Sequence, residues 1–238
     1  MNSWLEGRVG VVTGASRGIG RSTAIALAGA GVHVVLGSTR QEALNEVRTE
    51  IEEAGGTATP VRCDVSDPDS VNSLFNAAAA IGNVSVLVCS AGVTVKGPFD
   101  SLTPEQWQRS LGVNLTGTFL CCQRAFSTMK EHGGGRIITI ASLSGVYATE
   151  KFPGLVAYNA SKYGVVGVTE ALAVEGKPYN ICAVCVSPGA VDTEMLREAA
   201  PHLKPGLGPD DVGRLITGLL GLDLLPASGA NLPLFSNL

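Results

Sequence analysis

The 238-residue chain has no apolar run approaching the roughly 18 residues that a membrane-spanning helix needs. Its first residues also lack the basic region and apolar run of a secretory signal, which favours a cytoplasmic protein. An excess of positive charge is missing as well, since 17 Lys and Arg stand against 21 Asp and Glu, a net charge of −4. The cations are scattered along the sequence, which argues against nucleic acid and membrane surfaces as partners.

The six cysteines do not have positions that suit disulfides or a metal site. Cys182 and Cys185 have CxxC spacing, but they lie in NICAVCVSP, which has the composition of a buried strand. Residues three apart on a strand face opposite sides, so these two thiols cannot form a tight bridge. We therefore expect reduced, buried thiols and no metal. The other four lie at predicted strand ends or side by side on a helix: Cys63, Cys89, Cys121 and Cys122.

Short apolar runs alternate with longer helical patterns along the chain. The runs are apolar throughout, which is typical of parallel strands covered on both faces. The alternation predicts right-handed crossovers and a single doubly wound α/β, Rossmann-like domain, residues 1–238, with a parallel sheet of about seven strands. The predicted strands are Val9–Thr13, Val32–Leu36, Ala58–Arg62, Val84–Cys89, Arg136–Ala141, Ile181–Ser187 and a short one around Leu232–Phe235. The predicted helices are Ile19–Ala30, Gln41–Glu53, Pro68–Ala80, Pro104–Met129 and Ala157–Glu175.

A glycine-rich turn follows the first predicted strand. In VGVVTGASRGIGRSTAIALAGAG, Gly14, Gly18 and Gly20 have the spacing GxxxGxG between a strand and a helix. Glycines let the backbone approach a pyrophosphate, and the helix offers free N–H groups and its positive end. Glycine turns also occur without a ligand, but this position favours a bound nucleotide.

The end of the second predicted strand indicates which nucleotide is bound. An acidic residue there would bond the adenosine ribose hydroxyls of NAD, but this chain has Ser38, Thr39 and Arg40, with Arg17 in the glycine turn. Two guanidinium groups and two hydroxyls suit a 2′-phosphate. The alternative is that both arginines are ordinary surface residues. We predict NADP(H) as the cofactor.

Tyr158 and Lys162 lie four residues apart in AYNASKYG on a predicted helix. This spacing puts the phenol and the ammonium group on one face. A neighbouring cation would lower the pKa of the phenol from about 10 toward the range of a useful proton donor. Such pairs are common on solvated helices, but an upstream serine, a downstream Pro-Gly and the glycine turn together favour a hydride-transfer enzyme.

The order of several short motifs resembles the short-chain dehydrogenase/reductase family over about residues 7–194. No single motif is specific, whereas their order and spacing are. They are TGASRGIG (13–20), CDV (63–65), SAG (90–92), VNLTG (113–117), IASLSG (140–145), YNASK (158–162) and SPGAVDT (187–193).

This resemblance implies a catalytic tetrad of Asn114, Ser142, Tyr158 and Lys162. Tyr158 would exchange a proton with the substrate oxygen, and Ser142 would hydrogen-bond to the same oxygen. Lys162 would bond the nicotinamide ribose and lower the pKa of Tyr158. Asn114 would lie at a helix irregularity and hold a water that links Lys162 to solvent. Ser144 remains an alternative to Ser142, and Asn114 could be an ordinary polar helix residue.

The resemblance also implies contacts with the dinucleotide. Asp64 would meet the adenine beside the Val65 backbone, and the Pro188–Thr193 segment would meet the nicotinamide carboxamide. The predicted cofactor-binding residues are Gly14, Ser16, Arg17, Gly18, Ile19, Gly20, Ser38, Thr39, Arg40, Asp64, Val65, Ser90, Ala91, Gly92, Asn114, Tyr158, Lys162, Pro188, Gly189, Val191 and Thr193.

Two departures from the family pattern affect these expectations. Cys89 and Ser90 replace two asparagines before Ala-Gly, which removes a side-chain hydrogen bond expected to brace the central sheet. The ending SGANLPLFSNL replaces the usual Asp-Gly-Gly that helps tetramer packing. We still expect a homodimer or a homotetramer.

The segment 193–210 is punctuated by Pro and Gly and should cap the substrate pocket. The expected pocket residues are mostly apolar, which favours a neutral ketone, aldehyde or alcohol as substrate. We predict an NADPH-dependent carbonyl reductase. The alternatives are a 3-oxoacyl-thioester reductase and a dinucleotide-sensing or scaffold protein without turnover. The expected pocket residues are Val93, Leu143, Val146, Tyr147, Phe152, Met195 and Leu196.

Overall fold

The computed structural model describes residues 4–236, in which seven strands alternate with eight α-helices. The strands are β1 (Val9–Thr13), β2 (His33–Ser38), β3 (Thr57–Arg62), β4 (Val84–Cys89), β5 (Gly135–Ile140), β6 (Ile181–Pro188) and β7 (Asn231–Leu234). The helices are α1 (Gly18–Gly29), α2 (Gln41–Glu53), α3 (Pro68–Ala79), α4 (Pro104–Leu111), α5 (Gly117–Glu131), α6 (Val156–Gly176), α7 (Glu194–Ala199) and α8 (Pro209–Gly221).

The strands form one sheet in the order β3-β2-β1-β4-β5-β6-β7, and every neighbouring pair is parallel. The chain first moves outward from β1 to β3 and then crosses to β4 on the other side of β1. In such sheets ligands bind beyond the carboxyl ends of the strands at this reversal. The predicted doubly wound parallel sheet is confirmed.

Buried apolar side chains cover both faces of the sheet, which explains why the strands are apolar throughout. Helices α1, α2 and α8 pack on one face, whereas α3, α5 and α6 pack on the other. Cys182 and Cys185 belong to clusters on opposite faces, as predicted, and all six cysteines are buried free thiols. Among residues 4–236, no helix is both long enough and apolar enough to cross a membrane.

The helix predicted over Pro104–Met129 is present, with an interruption. It begins with a capping box, in which Thr103 Oγ1 accepts from Gln106 N at 3.3 Å and Gln106 Oε1 accepts from Thr103 N at 3.0 Å. Between α4 and α5 lies a π turn over Gly112–Thr116. This is the helix irregularity predicted around Asn114.

Five strands, β2, β3, β5, β6 and β7, differ from the predictions by one or two residues at one or both ends, and β2 and β7 show the reasons. The strand predicted at Val32–Leu36 begins one residue later, because the Val32 N–H bonds to Leu27 O at the end of α1, and it continues to Ser38 beside β3. The final strand is shifted by one residue from the predicted Leu232–Phe235. It begins at Asn231, whose Oδ1 accepts from Ser187 Oγ at 2.7 Å.

Candidate active site

A cleft of about 1190 Å³ opens at the carboxyl ends of the central strands. Its walls come from the glycine turn after β1, the segments after β2 to β6, the start of α6 and helix α7. Every residue predicted to bind the cofactor or to act in catalysis lines this cleft except Asn114. The seven apolar residues expected in the pocket line it as well.

The glycine turn is held in a shape that larger residues would disrupt. Gly14 has φ +67°, and a Cβ there would lie 2.8 Å from the backbone of Ala91. A Cβ on Gly20 would lie 2.3 Å from the carbonyl oxygen of Gly14. The turn therefore packs directly against the segment after β4, and α1 begins at the cleft with no acidic residue in its first turn. This cradle fits the pyrophosphate of a dinucleotide.

Hydroxyl and guanidinium groups gather at the end of β2. Ser16 Oγ and Ser38 Oγ lie 2.9 Å apart, and the backbone N–H of Arg40 donates to Ser38 Oγ at 3.3 Å. Arg17 in the glycine turn and Arg40 both reach the same carboxylate, that of Glu194. The donors expected to recognise a 2′-phosphate are therefore brought together.

Tyr158 and Lys162 project from the first turns of α6 into the cleft, where Ser142 follows β5. Lys162 Nζ donates to Ile140 O at 2.8 Å and lies 5.6 Å from the centre of the Tyr158 ring. Ser142 lies close enough to the Tyr158 phenol to lower its pKa, and Ser142 Oγ accepts from the backbone N–H of Ser144 at 3.1 Å. This geometry favours Ser142 over Ser144 as the partner of the phenol.

Burial controls the protonation of this pair. It raises the pKa of Tyr158, and the Ser142 side chain acts in the opposite direction. Burial also lowers the pKa of Lys162 from its ordinary 10.5 to about 8. The net shift of the Tyr158 pKa is upward, with burial as its largest cause, and the lowering of this pKa by Lys162 stays a prediction.

Asn114 lies in the π turn and is fully buried. Its Nδ2 donates to Val93 O and to Ser161 Oγ, both at 3.0 Å, and its Oδ1 accepts from Val93 N at 2.8 Å. The Asn114 amide thus connects the segment after β4, through Val93, with helix α6, through Ser161, the residue next to Lys162. The Asn114 side chain faces Val93 and Ser161, and its direct contact with the cofactor stays a prediction. Its role in holding a water remains a prediction.

Thr13 braces the segment after β4, where Cys89 and Ser90 stand in place of two asparagines. Thr13 is buried at the end of β1, and its Oγ1 accepts from Ser90 N and Ala91 N, both at 3.2 Å. The segment beside the glycine turn is therefore tied to β1 by a side chain from the neighbouring strand. This brace was missed because a threonine at a strand end carries no distinctive signal.

We expect Thr13→Val to lower the free energy of unfolding by about 1–3 kcal/mol, because two backbone N–H groups lose their acceptor while the volume is kept. Denaturant unfolding measures the change. Thr217→Val is the matched control, since Thr217 Oγ1 is buried without a hydrogen-bond partner in the described part of the chain, and its removal should cost nothing. Equal losses for both variants would contradict the assigned brace.

Comparison with known proteins identifies this arrangement. The family model of short chain dehydrogenases matches residues 8–204. The chain belongs to the short-chain dehydrogenase family. The predicted resemblance is confirmed, and the protein is an oxidoreductase of the short-chain dehydrogenase type.

Other short-chain dehydrogenases resemble the chain over most of its length. Acetoacetyl-CoA reductase of Rhizobium meliloti is 38% identical over 228 residues, covering 91% of this chain and 92% of the relative. An NADPH-dependent aldehyde reductase-like chloroplastic protein of Arabidopsis thaliana is 40% identical over 205 residues, covering 80% and 75%. A crystal structure from Beutenbergia cavernae, described as an NAD(P)-dependent gluconate 5-dehydrogenase with bound NADP at low occupancy, has a TM-score of 0.89 at 31% identity, covering 98% and 96%.

The segment 193–210, predicted to cap the substrate pocket, has one part that lines the cleft of this short-chain dehydrogenase and one part that does not. Several residues between 193 and 203, including members of α7, line the cleft. Val191 pairs with Leu207 in an isolated β-bridge. Pro209 and Asp210 already belong to α8, where Asp210 Oδ1 accepts from Ser22 Oγ of α1 at 2.5 Å. The last part of the predicted cap is therefore anchored to the fold.

Sequence reasoning also missed several residues of the cleft wall. Lys96 Nζ donates to Ala199 O at the end of α7, and the His202 ring meets Phe152 edge-on with centres 6.5 Å apart. These contacts join the segment after β4 and the segment before α6 to the cap. Their partners are far apart in sequence, so no local pattern marks them. Lys96 and Phe235 lay outside every segment predicted to line the cleft, whereas Glu194, His202 and Leu203 lay within the predicted segment 193–210 without being singled out.

Proposed function

We propose that this short-chain dehydrogenase uses NADP(H) to reduce the carbonyl of a ketone or aldehyde to an alcohol, reversibly. The substrate is a small or medium, mainly apolar molecule. The observation that carries this proposal is the convergence of Ser142, the buried phenol of Tyr158 and Lys162 in the same cleft as the dinucleotide cradle.

When bound, the cofactor supplies or accepts the hydride. The glycine turn would hold its pyrophosphate, and the hydroxyls of Ser16 and Ser38 with the guanidinium groups of Arg17 and Arg40 would hold its 2′-phosphate. Lys162 would bond the ribose, and Thr193 would bond the carboxamide. A carboxylate at the end of β2, which would repel the phosphate, is missing from the sequence.

Tyr158 donates the proton in this proposal. Because burial raises its pKa, the phenol keeps its proton at neutral pH and can give it to the carbonyl oxygen during reduction. Ser142 hydrogen-bonds to the same oxygen and stabilises the negative charge that develops there. Oxidation of an alcohol needs the phenolate, so it should require a higher pH than reduction.

Lys162 and Asn114 support the proton donor. A pKa of about 8 lets Lys162 exchange its proton readily near neutral pH. This exchange is needed if Tyr158 regains its proton by way of Lys162. Asn114 fixes Ser161 and thereby the turn of α6 that carries Lys162. It acts as a positioning residue.

Reduction of a 3-oxoacyl thioester is the second candidate function. It is favoured by the similarity to acetoacetyl-CoA reductase and by Arg109, which lines the cleft and could meet a phosphate-bearing carrier. Lys151, considered for this role from the sequence, is engaged locally, since its Nζ donates to the carbonyl of Val146 at 2.7 Å.

The test is NADPH consumption by the purified protein with ketones, aldehydes, quinones and 3-oxoacyl thioesters. We expect turnover with apolar ketones or aldehydes, and slower turnover when NADH replaces NADPH. Activity restricted to acyl thioesters would instead establish the second function. Absence of turnover across the panel while NADPH binds would contradict both and favour a dinucleotide-sensing protein.

A further inference from the structure

The carboxylate of Glu194, the first residue of α7, lies between two arginines of the cofactor half of the cleft. Its Oε2 accepts a hydrogen bond from Arg17 Nη1, and Arg40 Nη2 lies 3.7 Å from the same oxygen. These are the two guanidinium groups that the proposed function assigns to the 2′-phosphate. An acid from the cap thus holds the cations that would otherwise receive the phosphate.

We propose that Glu194 is a specificity-determining residue, whose carboxylate competes with the 2′-phosphate of NADP(H) for Arg17 and Arg40. NAD(H) has a hydroxyl in place of this phosphate and does not need the two guanidinium groups. Glu194 therefore reduces the preference for NADP(H) without affecting NAD(H). This inference rests on the proposed cofactor site.

The energetics allow the exchange. The side chains of Arg17, Arg40 and Glu194 are 40%, 50% and 49% exposed, and ion pairs of this kind contribute little to stability. A phosphate offers more charge and more acceptor oxygens than a carboxylate, so it can replace Glu194 on both arginines. Binding of the phosphate must still break the ion pairs of Glu194 with Arg17 and Arg40, and this loss weakens the binding of NADP(H).

The charge state of Glu194 agrees with this role. Arg17, and to a smaller extent Arg40, lowers the pKa of Glu194, so the carboxylate is ionised at neutral pH. The residue thus presents a full negative charge to the site where the phosphate must bind. The charge is also removable by a substitution that keeps the shape of the side chain.

Glu194→Gln is the decisive variant, and Glu198→Gln is its matched control. Glu198 lies one turn further along α7 and has no salt bridge to any residue between 4 and 236, so its replacement removes the same charge without breaking a contact. Dissociation constants are measured by fluorescence titration with NADPH and NADH. Calorimetry with adenosine 2′,5′-bisphosphate and AMP isolates the contribution of the 2′-phosphate.

We expect Glu194→Gln to bind NADPH and adenosine 2′,5′-bisphosphate about three- to tenfold more tightly, with NADH and AMP changed by less than about twofold. Glu198→Gln should change none of the four by more than about twofold. This pattern would support direct competition between the carboxylate and the phosphate.

Three results would overturn the inference. Equal tightening of all four ligands, or the same effect from Glu198→Gln, would show only a general change of charge. Weaker binding of NADH to Glu194→Gln would show that the carboxylate bonds ribose hydroxyls. An unchanged NADPH to NADH ratio would show no competition. By contrast, a wild-type protein that binds NADH more tightly than NADPH would overturn the proposed cofactor, whatever the variant does.

Discussion

Replacing Tyr158 by Phe should lower turnover of a carbonyl substrate by about 10²- to 10⁴-fold, the usual contribution of a positioned proton donor. The substitution removes only the phenolic hydroxyl and keeps the aromatic ring, which lies in α6 at the cleft. Because the dinucleotide cradle is formed by other residues, the affinity for NADPH should stay within about threefold. Single-turnover kinetics and a fluorescence titration of NADPH measure the two quantities on the same preparation.

Tyr179→Phe is the control for this experiment. Tyr179 packs edge-on against Phe126 and does not line the cleft, so its hydroxyl should not affect turnover. Full activity of Tyr158→Phe would assign the proton donor to another group. Loss of NADPH binding together with turnover would show that Tyr158 acts mainly through the cofactor site.

The fold was predictable because its determinants are local. Mainly apolar runs such as that of β4 are typical of strands covered by helices on both faces, and the three glycines between positions 14 and 20 are typical of a tight turn before a helix. Most of the site follows from the fold, since the carboxyl ends of parallel strands meet at one edge. Ser142 and Tyr158 are brought together because one follows β5 and the other begins the helix leading to β6.

The features missed by sequence analysis depend on distant partners. The ion pair of Glu194 joins positions 177 residues apart, and the brace from Thr13 reaches Ser90 beyond the neighbouring strand, 77 residues away. The direction of the Tyr158 pKa shift could not be predicted from the i, i+4 spacing, because it depends on how much water reaches the phenol. Spacing on a helix identifies possible neighbours, whereas burial decides how strongly their charges interact.

The second large effect is expected for Lys162→Met, which should raise the free energy of unfolding at pH 7 while abolishing efficient turnover. Lys162 is nearly fully buried, and burial lowers its pKa from 10.5 to about 8. That difference corresponds to a cost on the order of 3 kcal/mol for keeping the charged lysine in the folded protein. Methionine has a similar length and carries no charge, so the variant avoids this cost.

The pH dependence distinguishes this explanation from better packing. Below about pH 8, Lys162 is protonated in both the folded and the unfolded chain, so the full cost is present. Between pH 8 and 10.5 only the unfolded chain keeps the proton, and the wild type gains stability relative to Lys162→Met as the pH rises. The advantage of the variant should therefore be largest at pH 7 and shrink steadily above pH 8.

Urea unfolding of the cofactor-free proteins at pH 7, 8, 9 and 10 measures this difference. Lys177→Met is the control, because Lys177 is exposed and its replacement should change the free energy of unfolding by less than about 0.5 kcal/mol throughout. An advantage of Lys162→Met that stays constant with pH would indicate packing instead of charge. A variant less stable than the wild type at pH 7 would mean that the bond from Lys162 to Ile140 outweighs the cost of burying the ammonium group. An advantage of Lys162→Met that is largest at pH 7 would mean that the wild-type protein has a lower free energy of unfolding because it keeps a titratable amine beside its proton donor.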